Sequence, residues 1–171
     1  MKREECAYLG KESLRCERID LKKFCKDKNF GVCAIKIYLS TKSACTYRAP
    51  SGNFDLFITK LDTILRKLYT VTTEYIICGD RSIDNLVESD GKSQLEARLK
   101  NYNLTSAVNF PTHTQKNSAT VIDNIFIDII KMGNYSICPI INGLSDHDVQ
   151  SITLHSFNLR PPTKKCMLLG R

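Results

Sequence analysis

The chain has 171 residues, of which 42% are hydrophobic and 25% charged, and these proportions suit one globular domain with a real core. No apolar run approaches the roughly 20 residues needed to cross a bilayer, and no apolar segment follows the polar N-terminus, which excludes a signal peptide and argues against a membrane partner. We therefore expect an intracellular protein, nuclear or cytoplasmic, whose net charge of +7 slightly favours a polyanionic partner.

The first half of the chain contains two predicted strands. Residues 1–30 are polar, and we predict a poorly defined, irregular N-terminal segment there. The β-branched run 32–39 predicts a strand, and the polar residues 40–43 predict a turn. The next strand, 74–80, is apolar and ends in Gly-Asp, which brings the carboxylate of Asp80 to the edge of a sheet.

The clearest predicted helix covers residues 54–68 and follows a loop over 47–53 that contains proline and glycine. Apolar residues recur along it at three- and four-residue steps and form one face. Asn53 suits the N-cap position, and Asp55 suits the positive end of the helix dipole. This helix should therefore pack its apolar face on a sheet.

The second half of the chain also alternates between predicted helices and predicted strands. We predict a shorter helix over 94–102, a short extended segment over 108–112, and strands over 120–130 and 149–157, with a polar loop at 143–148 before the last strand. This alternation predicts an α/β or layered α+β architecture.

The cysteines give no sign of a metal or disulfide framework. All eight are spaced without a Cys-x-x-Cys pair and match no zinc template. A disulfide framework also requires a secreted context. We expect reduced cysteines that act as small apolar residues.

Five residues near the predicted strand ends could carry chemistry: Asp80, Asp123, Asp146, His147 and Asp148. Asp123 lies inside an apolar strand, where an unpaired carboxylate is costly, so it should have a partner. A carboxylate can hold a histidine in one tautomer and leave its other ring nitrogen for a substrate. Other carboxylates can ligate a hard cation such as Mg²⁺ or orient an attacking water. Together these residues predict phosphodiester hydrolysis, although each motif alone also occurs in ordinary turns and polar loops.

Five segments occur in a characteristic order, and they cover residues 47–54, 76–80, 109–114, 118–123 and 143–150. In this order they resemble the apurinic-endonuclease-like domain of non-LTR retrotransposons of the jockey type, in the endonuclease/exonuclease/phosphatase superfamily. The resemblance implies a DNase I-like fold, which is a two-sheet β-sandwich flanked by helices. It places the domain at residues 31–158, incomplete on its N-terminal side, with a loose basic tail at 159–171.

The resemblance also implies a role for each matching residue. Tyr47 resembles the tyrosine that contacts the scissile phosphate, and Asp80 resembles the aspartate that positions or activates the attacking water. Asp123 resembles the aspartate that orients the catalytic histidine, and His147 resembles that histidine, which stabilises developing charge on the phosphate. Asp146 resembles a metal-linked aspartate. The implied cofactor is Mg²⁺ or Mn²⁺, and the implied partner is DNA.

Four further positions matter within the resemblance. Ser118 and Thr120 match polar, substrate-binding positions before the orienting aspartate. Ser82 stands where the family carries an asparagine that binds the phosphate and the nucleophile. Its side chain is shorter and offers one hydroxyl, where an amide offers both a hydrogen-bond donor and an acceptor. Arg81 replaces an apolar residue behind the strand, so it should either extend its charge to solvent or disturb the site.

The part of the family pattern that precedes residue 31 has no convincing match, and with it the glutamate that ligates the metal is missing. We therefore expect weak metal binding and weak or absent nuclease activity. The chain would then be an impaired endonuclease, a fragment of an element once fused to a reverse transcriptase. Two alternatives are a non-catalytic remnant with residual nucleic-acid affinity and a phosphatase acting on a small substrate.

Overall fold

A six-stranded mixed sheet forms the centre of the computed structural model, which describes residues 16–27, 29–37, 41–115, 118–141, 143 and 145–155. Within these residues the strands are β1 (Cys16–Ile19), β2 (Gly31–Ile37), β3 (Thr41–Tyr47), β4 (Glu74–Asp80), β5 (Leu104–Ser106), β6 (His113–Gln115), β7 (Ser118–Thr120), β8 (Asp123–Asp128), β9 (Tyr135–Ile140) and β10 (Val149–Leu154). The helices are α1 (Phe54–Leu68), α2 (Asp90–Lys100), the short α3 (Ile129–Met132) and a 3-10 turn (Lys22–Phe24).

The central sheet has the strand order β1-β2-β3-β4-β8-β5. β3 and β4 run parallel because α1 connects them, and every other neighbouring pair is antiparallel. Two small antiparallel pairs complete the strands, β9 with β10 and β6 with β7.

One face of the central sheet is covered by α1 and α2. The side chain of Asn53 accepts a hydrogen bond from the backbone N–H of Leu56 (2.8 Å) and caps α1 as predicted. The predicted apolar face of α1 is buried, with Phe57 and Leu61 at most 1% exposed. These residues share a core with Ile77 of β4 and with residues of α2.

The opposite face of the sheet carries a second core. Ile76 points away from its neighbour Ile77, because successive side chains of a strand alternate between faces. It packs with Ile125 and Ile127 of β8, and the β9–β10 pair contributes partly buried residues such as Ile152. The structure is therefore a two-sheet sandwich with helices on the outside, which is the predicted DNase I-like architecture.

The prediction that residues 1–30 are irregular is wrong for the described part of that segment. β1 pairs antiparallel with β2 along four residues. Leu21 and Phe30 are each 2% exposed and belong to the main core. Strand pairing and the burial of two widely spaced apolar residues determine this structure, and local composition carries neither signal. The first 15 residues and the predicted tail at 159–171 lie outside the described residues.

The predicted turn at 40–43 is also wrong where the structure describes it, because Thr41 begins β3. This strand pairs with β2 on one side and with β4 on the other, so it is a central strand of seven residues. Serine, threonine and lysine are common in turns, but pairing on both sides overrides that local preference.

Other boundaries differ from the prediction for local reasons. α2 begins at Asp90 rather than 94, because the Ser89 hydroxyl accepts from the backbone N–H of Lys92 (3.2 Å) and caps the helix there. The apolar run 120–130 is divided into β7, β8 and α3. The predicted extended segment 108–112 contains no strand, and β5 and β9 form where no element was predicted.

The end of β4 depends on Gly79. Its φ is +121°, and a β-carbon added there would lie 2.1 Å from the carbonyl oxygen of Thr46. Only glycine tolerates both this backbone conformation and this contact between β3 and β4. Gly79 thus lets the two strand ends approach each other, and it sets the position of the following residue, Asp80.

No helix among the described residues combines the length and the apolar character that a bilayer crossing needs. The structure and the sequence agree on this point.

Candidate active site

Two strands bring carboxylates to one edge of the central sheet. Asp80 is the last residue of β4 and Asp123 is the first residue of β8, and the two stand opposite each other in the antiparallel register. Both side chains are partly exposed. The loop that precedes β10 brings His147 to the same edge, where it forms an isolated bridge to His113.

A short polar contact at this edge joins His147 to Asp123, with 2.7 Å between His147 Nδ1 and Asp123 Oδ2. His147 is thus the partner that the sequence predicts Asp123 should have. The carboxylate accepts the Nδ1 proton and leaves Nε2 as the second ring nitrogen. Burial lowers the pKa of His147, but the hydrogen bond and charge of Asp123, with the charges of Asp80 and Asp146, outweigh it and raise the pKa.

The carboxylate of Asp80 is held by Ser82, the residue that stands where the family carries an asparagine. The backbone N–H of Ser82 donates to Asp80 Oδ1 at 2.7 Å. Burial is the largest effect on the pKa of Asp80 and raises it, and the charge of Asp123 adds to this; the bond from Ser82 and the charge of His147 oppose it. The net direction is upward, which moves this carboxylate towards the range of a general base.

Ser82 itself has an unusual conformation and an occupied hydroxyl. Its φ is +50°, in the left-handed region that non-glycine residues seldom adopt. Its hydroxyl donates to the backbone carbonyl oxygen of Arg48 at 3.1 Å. The side chain at this position therefore supports the loop.

Arg48 anchors the turn that follows β4, and the sequence analysis assigned it no role. Its guanidinium donates to the carbonyl oxygens of Arg81, Ser82 and Gly52, each at 2.9 Å. Its backbone N–H donates to the carbonyl oxygen of Asp80 at 3.1 Å. Arg48 lies in the first motif, 47–54, and its position directly after the predicted phosphate-contacting tyrosine is the signal that could have identified it.

His113 is the second residue that the sequence analysis missed. Its Nε2 lies 3.2 Å from Asp146 Oδ2, and its Nδ1 lies 3.3 Å from Thr120 Oγ1. Its ring centroid is 4.6 Å from that of His147. The pKa of Asp146 is lowered by a backbone hydrogen bond and by the bond from His113, so this exposed carboxylate is ionised at neutral pH. The signal was present, since His113 belongs to the third motif, 109–114.

Three further predicted site residues remain: Thr120, Tyr47 and Ser118. They differ in their relation to the hydrogen-bonded pair of Asp123 and His147, which we call the dyad. Thr120 contacts His113 and so joins the cluster. Tyr47 ends β3, the strand beside β4, and stands opposite Gly31 of β2. Ser118 is exposed in the β6–β7 pair, and its hydroxyl donates to the carbonyl oxygen of Gln115 (3.0 Å). The structure does not bring Ser118 into hydrogen-bond contact with Asp123 or His147, and the roles of all three stay predictions.

Arg81 does not extend its charge to solvent, so that alternative is wrong. Its side chain is 1% exposed and lies over the ring of Phe126, 4.8 Å from the centroid. Nη1 donates to the carbonyl oxygen of Gly79 at 3.0 Å. Among the described residues, neither Nε nor Nη2 has a hydrogen-bond partner. Burial lowers the pKa of Arg81 to about 10.

Two groups of side chains could hold a metal ion, and in each the ligand atoms lie within 4.8 Å of one another: Asp80 with Asp123 and His147, and His113 with Asp146 and His147. The carboxylates of these groups, Asp80, Asp123 and Asp146, fit Mg²⁺ or Mn²⁺, because these hard cations prefer oxygen ligands and need only one or two carboxylates beside water and substrate oxygens. In the described part of the segment before β2, neither Glu17 nor Asp20 joins these groups.

No protein-family model matches the chain, and no curated protein matches it. Solved structures do match. The endonuclease domain of TRAS1, a telomere-specific non-LTR retrotransposon, is 14% identical with a TM-score of 0.64, over 85% of this chain and 70% of that one. An AP endonuclease from Archaeoglobus fulgidus is 14% identical with a TM-score of 0.56, over 72% and 65% of the two chains.

A 3′ phosphatase from Neisseria, solved with a product DNA hairpin, is 12% identical with a TM-score of 0.60 and matches over 83% of this chain and 79% of that one. Similarity at these identities establishes the fold. The chain has the fold of the endonuclease/exonuclease/phosphatase superfamily, as the five ordered motifs imply.

Proposed function

We propose that this chain hydrolyses phosphodiester bonds of DNA in a metal-dependent reaction, as a retrotransposon-type endonuclease of low activity. The observation that carries the proposal is the 2.7 Å contact between His147 Nδ1 and Asp123 Oδ2 beside the carboxylate of Asp80. The five ordered motifs support the retroelement type, and so does the similarity to the TRAS1 endonuclease domain. The DNA hairpin bound to the Neisseria phosphatase supports DNA as the substrate.

In the proposed reaction Asp80 orients the attacking water and accepts its proton, a task that its raised pKa favours. His147 in its protonated form donates through Nε2 to a phosphoryl oxygen that gains negative charge, and Asp123 accepts the Nδ1 proton and holds the ring in position. Tyr47 contacts the scissile phosphate. Hydrolysis breaks the bond between phosphorus and the leaving oxygen, and the water supplies the new hydroxyl on phosphorus.

Asp146 would hold the Mg²⁺ or Mn²⁺ ion, which polarises a phosphoryl oxygen when it is bound. Its carboxylate is ionised and 48% exposed, so it is open to an ion from solvent. With the glutamate of the family pattern missing, the site has one carboxylate fewer to bind the ion. We therefore propose weak metal binding and low activity.

The deciding measurement is nicking of supercoiled plasmid DNA by the purified chain, with Mg²⁺ or Mn²⁺ and with EDTA. We expect slow nicking that requires the metal ion and that Asp146→Ala lowers at least about tenfold, because a metal ligand is lost. His155→Asn is the matched control, since His155 is an exposed histidine that contacts Ser136 instead of this cluster. Nicking that persists unchanged in EDTA or in Asp146→Ala would contradict the proposed metal role.

Two alternatives from the sequence analysis would also be consistent with low nuclease activity: a non-catalytic remnant and a phosphatase that acts on a small substrate. One observation favours the remnant. The hydroxyl of Ser82 is engaged with the carbonyl oxygen of Arg48, which favours a non-catalytic remnant that retains nucleic-acid affinity. DNA binding without nicking at any metal concentration would support this remnant. Parallel assays on abasic-site DNA, 3′-phosphorylated DNA and a small phosphate ester separate an endonuclease from the alternative of a phosphatase.

Ser82→Asn is expected to raise the rate of nicking roughly tenfold, because an amide supplies both a donor and an acceptor to the reacting phosphate. Asparagine also suits the left-handed backbone at this position, where φ is +50°. The measurement is the initial nicking rate at saturating Mn²⁺. Ser89→Asn is the matched control, since it keeps a good N-cap for α2, away from the site. An unchanged rate in Ser82→Asn would place the cause of low activity at another residue.

A further inference from the structure

We propose that His113, Asp146 and His147 form a binding site for a borderline transition-metal ion such as Zn²⁺, and that zinc bound there inhibits the chain. The inhibition rests on the proposed function, whereas the binding does not. The three residues supply two imidazole nitrogens and one carboxylate oxygen, all within 4.8 Å of one another. Two histidines and one carboxylate are a ligand set that suits Zn²⁺ and that Mg²⁺ avoids.

The distances are close to those of a metal centre. Neighbouring ligand atoms of a tetrahedral zinc site lie about 3.3–3.5 Å apart, given metal–ligand bonds of about 2.0–2.2 Å. His113 Nε2 and Asp146 Oδ2 are already 3.2 Å apart. Every pair of ligand atoms in the group lies within 4.8 Å. The side chains of Asp146 and His147 are 48% and 39% exposed, which leaves a path to solvent and a fourth position for water.

Each histidine is also oriented from behind. His113 Nδ1 contacts Thr120 Oγ1 at 3.3 Å, and His147 Nδ1 contacts Asp123 Oδ2 at 2.7 Å. Both rings therefore have a partner on Nδ1. Nε2 is the nitrogen that would bind a metal ion, and in His113 the ion would replace the proton between Nε2 and Asp146. Metal-binding histidines nearly always have such an oxygen partner on the second nitrogen, because it fixes the ring and raises its basicity.

The backbone holds the two segments together before any ion arrives. The backbone N–H of Thr114 donates to the carbonyl oxygen of Asp146 at 2.9 Å, and that of Asp148 donates to the carbonyl oxygen of Thr112 at 2.8 Å. These bonds flank the bridge between His113 and His147. The ligands come from two segments 33 residues apart that are fixed side by side, so little chain ordering opposes metal binding.

Zinc at this site would interfere with hydrolysis for a chemical reason. An ion on Nε2 of His147 removes the nitrogen that donates to the phosphoryl oxygen in the proposed reaction. The same ion occupies the carboxylate of Asp146 that would hold Mg²⁺ or Mn²⁺. Zinc should therefore inhibit without being displaced by a large excess of Mg²⁺, which binds imidazole poorly.

The test of binding uses the full chain, with Zn²⁺ titrated calorimetrically and Co²⁺ followed by its absorption. We expect one site whose dissociation constant rises more than about tenfold in His113→Asn, and by less in Thr120→Val, which removes only the partner of Nδ1. His155→Asn should bind like the parent chain. His113→Gln is the second variant if His113→Asn folds poorly, with circular dichroism as the check.

Equal affinity in the parent chain and both His113 variants would overturn the proposal, as would cobalt–thiolate absorption, which would assign the ion to cysteines. The inhibition is measured as the nicking rate of each variant with and without Zn²⁺, relative to its own zinc-free rate. We expect His113→Asn to resist inhibition. If the parent chain does not nick DNA, the proposed function fails while the binding titration still decides the metal site.

Discussion

His147→Ala is expected to lower the rate of metal-dependent nicking by about 10²- to 10⁴-fold, the range for loss of a positioned proton donor. The imidazole lies 2.7 Å from Asp123 through Nδ1, so the lost group is one that the fold holds in place. Asp123→Ala should cost nearly as much. Because the two residues act as one unit, the double variant should be no slower than His147→Ala alone. Single-turnover nicking rates of the three variants measure this.

His155→Asn serves again as the histidine control, because His155 contacts Ser136 and lies outside both metal-binding groups. Circular dichroism and urea unfolding show whether each variant is folded. Multiplicative losses in the double variant would mean that the two residues act independently, which contradicts the proposed dyad.

Asp80 and His147 set the pH dependence of the proposed reaction. Asp80 must be ionised to accept a proton, and its raised pKa places the ascending limb above the ordinary carboxyl range. His147 must be protonated to donate, and its raised pKa places the descending limb above the ordinary histidine value. Asp123→Asn removes the partner that raises the pKa of His147, so the descending limb should move to lower pH. A descending limb that stays in place would assign it to another group.

The ordered motifs allowed the site edge to be predicted, because they mark the ends of strands. Asp80 follows an apolar run that stops at Gly-Asp, a feature that is visible in the sequence, whereas Asp123 was predicted inside a strand over 120–130 and instead begins β8. The cost of an unpaired carboxylate in an apolar strand predicted that Asp123 has a partner, and the family resemblance implied that this partner is His147.

Contacts between distant segments were beyond sequence reasoning. His113 reaches Asp146 only because 112–114 pairs with the loop before β10, and no local pattern encodes that pairing. β1 forms for the same reason, as a strand whose only partner among the described residues is β2. Local propensity is a weak guide wherever pairing across the sheet decides the conformation.

Ser82 and Arg81 follow a strand whose end was predicted, yet their side chains have positions that the sequence does not indicate. The hydroxyl of Ser82 turns to the carbonyl oxygen of Arg48, and the guanidinium of Arg81 is buried over Phe126. Both positions depend on the turn that Arg48 anchors. The two residues that depart from the family pattern, Arg81 and Ser82, therefore belong to one turn directly after β4.

Arg81→Met is expected to raise the free energy of unfolding by about 1–3 kcal/mol, because a well-packed apolar side chain replaces a buried charge that lacks an anionic hydrogen-bond partner. Arg81 is 1% exposed. The fall of its pKa to about 10, caused mainly by burial, corresponds to a cost on the order of 3 kcal/mol for keeping the charge in the folded state. Urea unfolding at neutral pH measures the gain as a higher midpoint at unchanged slope.

Arg66→Met is the matched control for this substitution. Its side chain is 73% exposed and pairs with Asp62 one helical turn away, so the change should stay within about 0.5 kcal/mol. A loss of stability in Arg81→Met would mean that the bond to the carbonyl oxygen of Gly79 and the contact with Phe126 outweigh the cost of burying the charge.

The pH dependence gives this prediction a second, independent measurement. The folded state lowers the pKa of Arg81 to about 10, so in the pH window that opens there the unfolded chain binds more protons than the folded one. The stability contributed by this residue therefore rises with pH across that window, as the folded protein loses the buried charge. Arg81→Met lacks this titration, so its advantage over the parent chain should be constant below pH 9 and shrink as the pH passes about 10. A constant advantage up to high pH would show that the gain comes from packing instead of the removal of the charge.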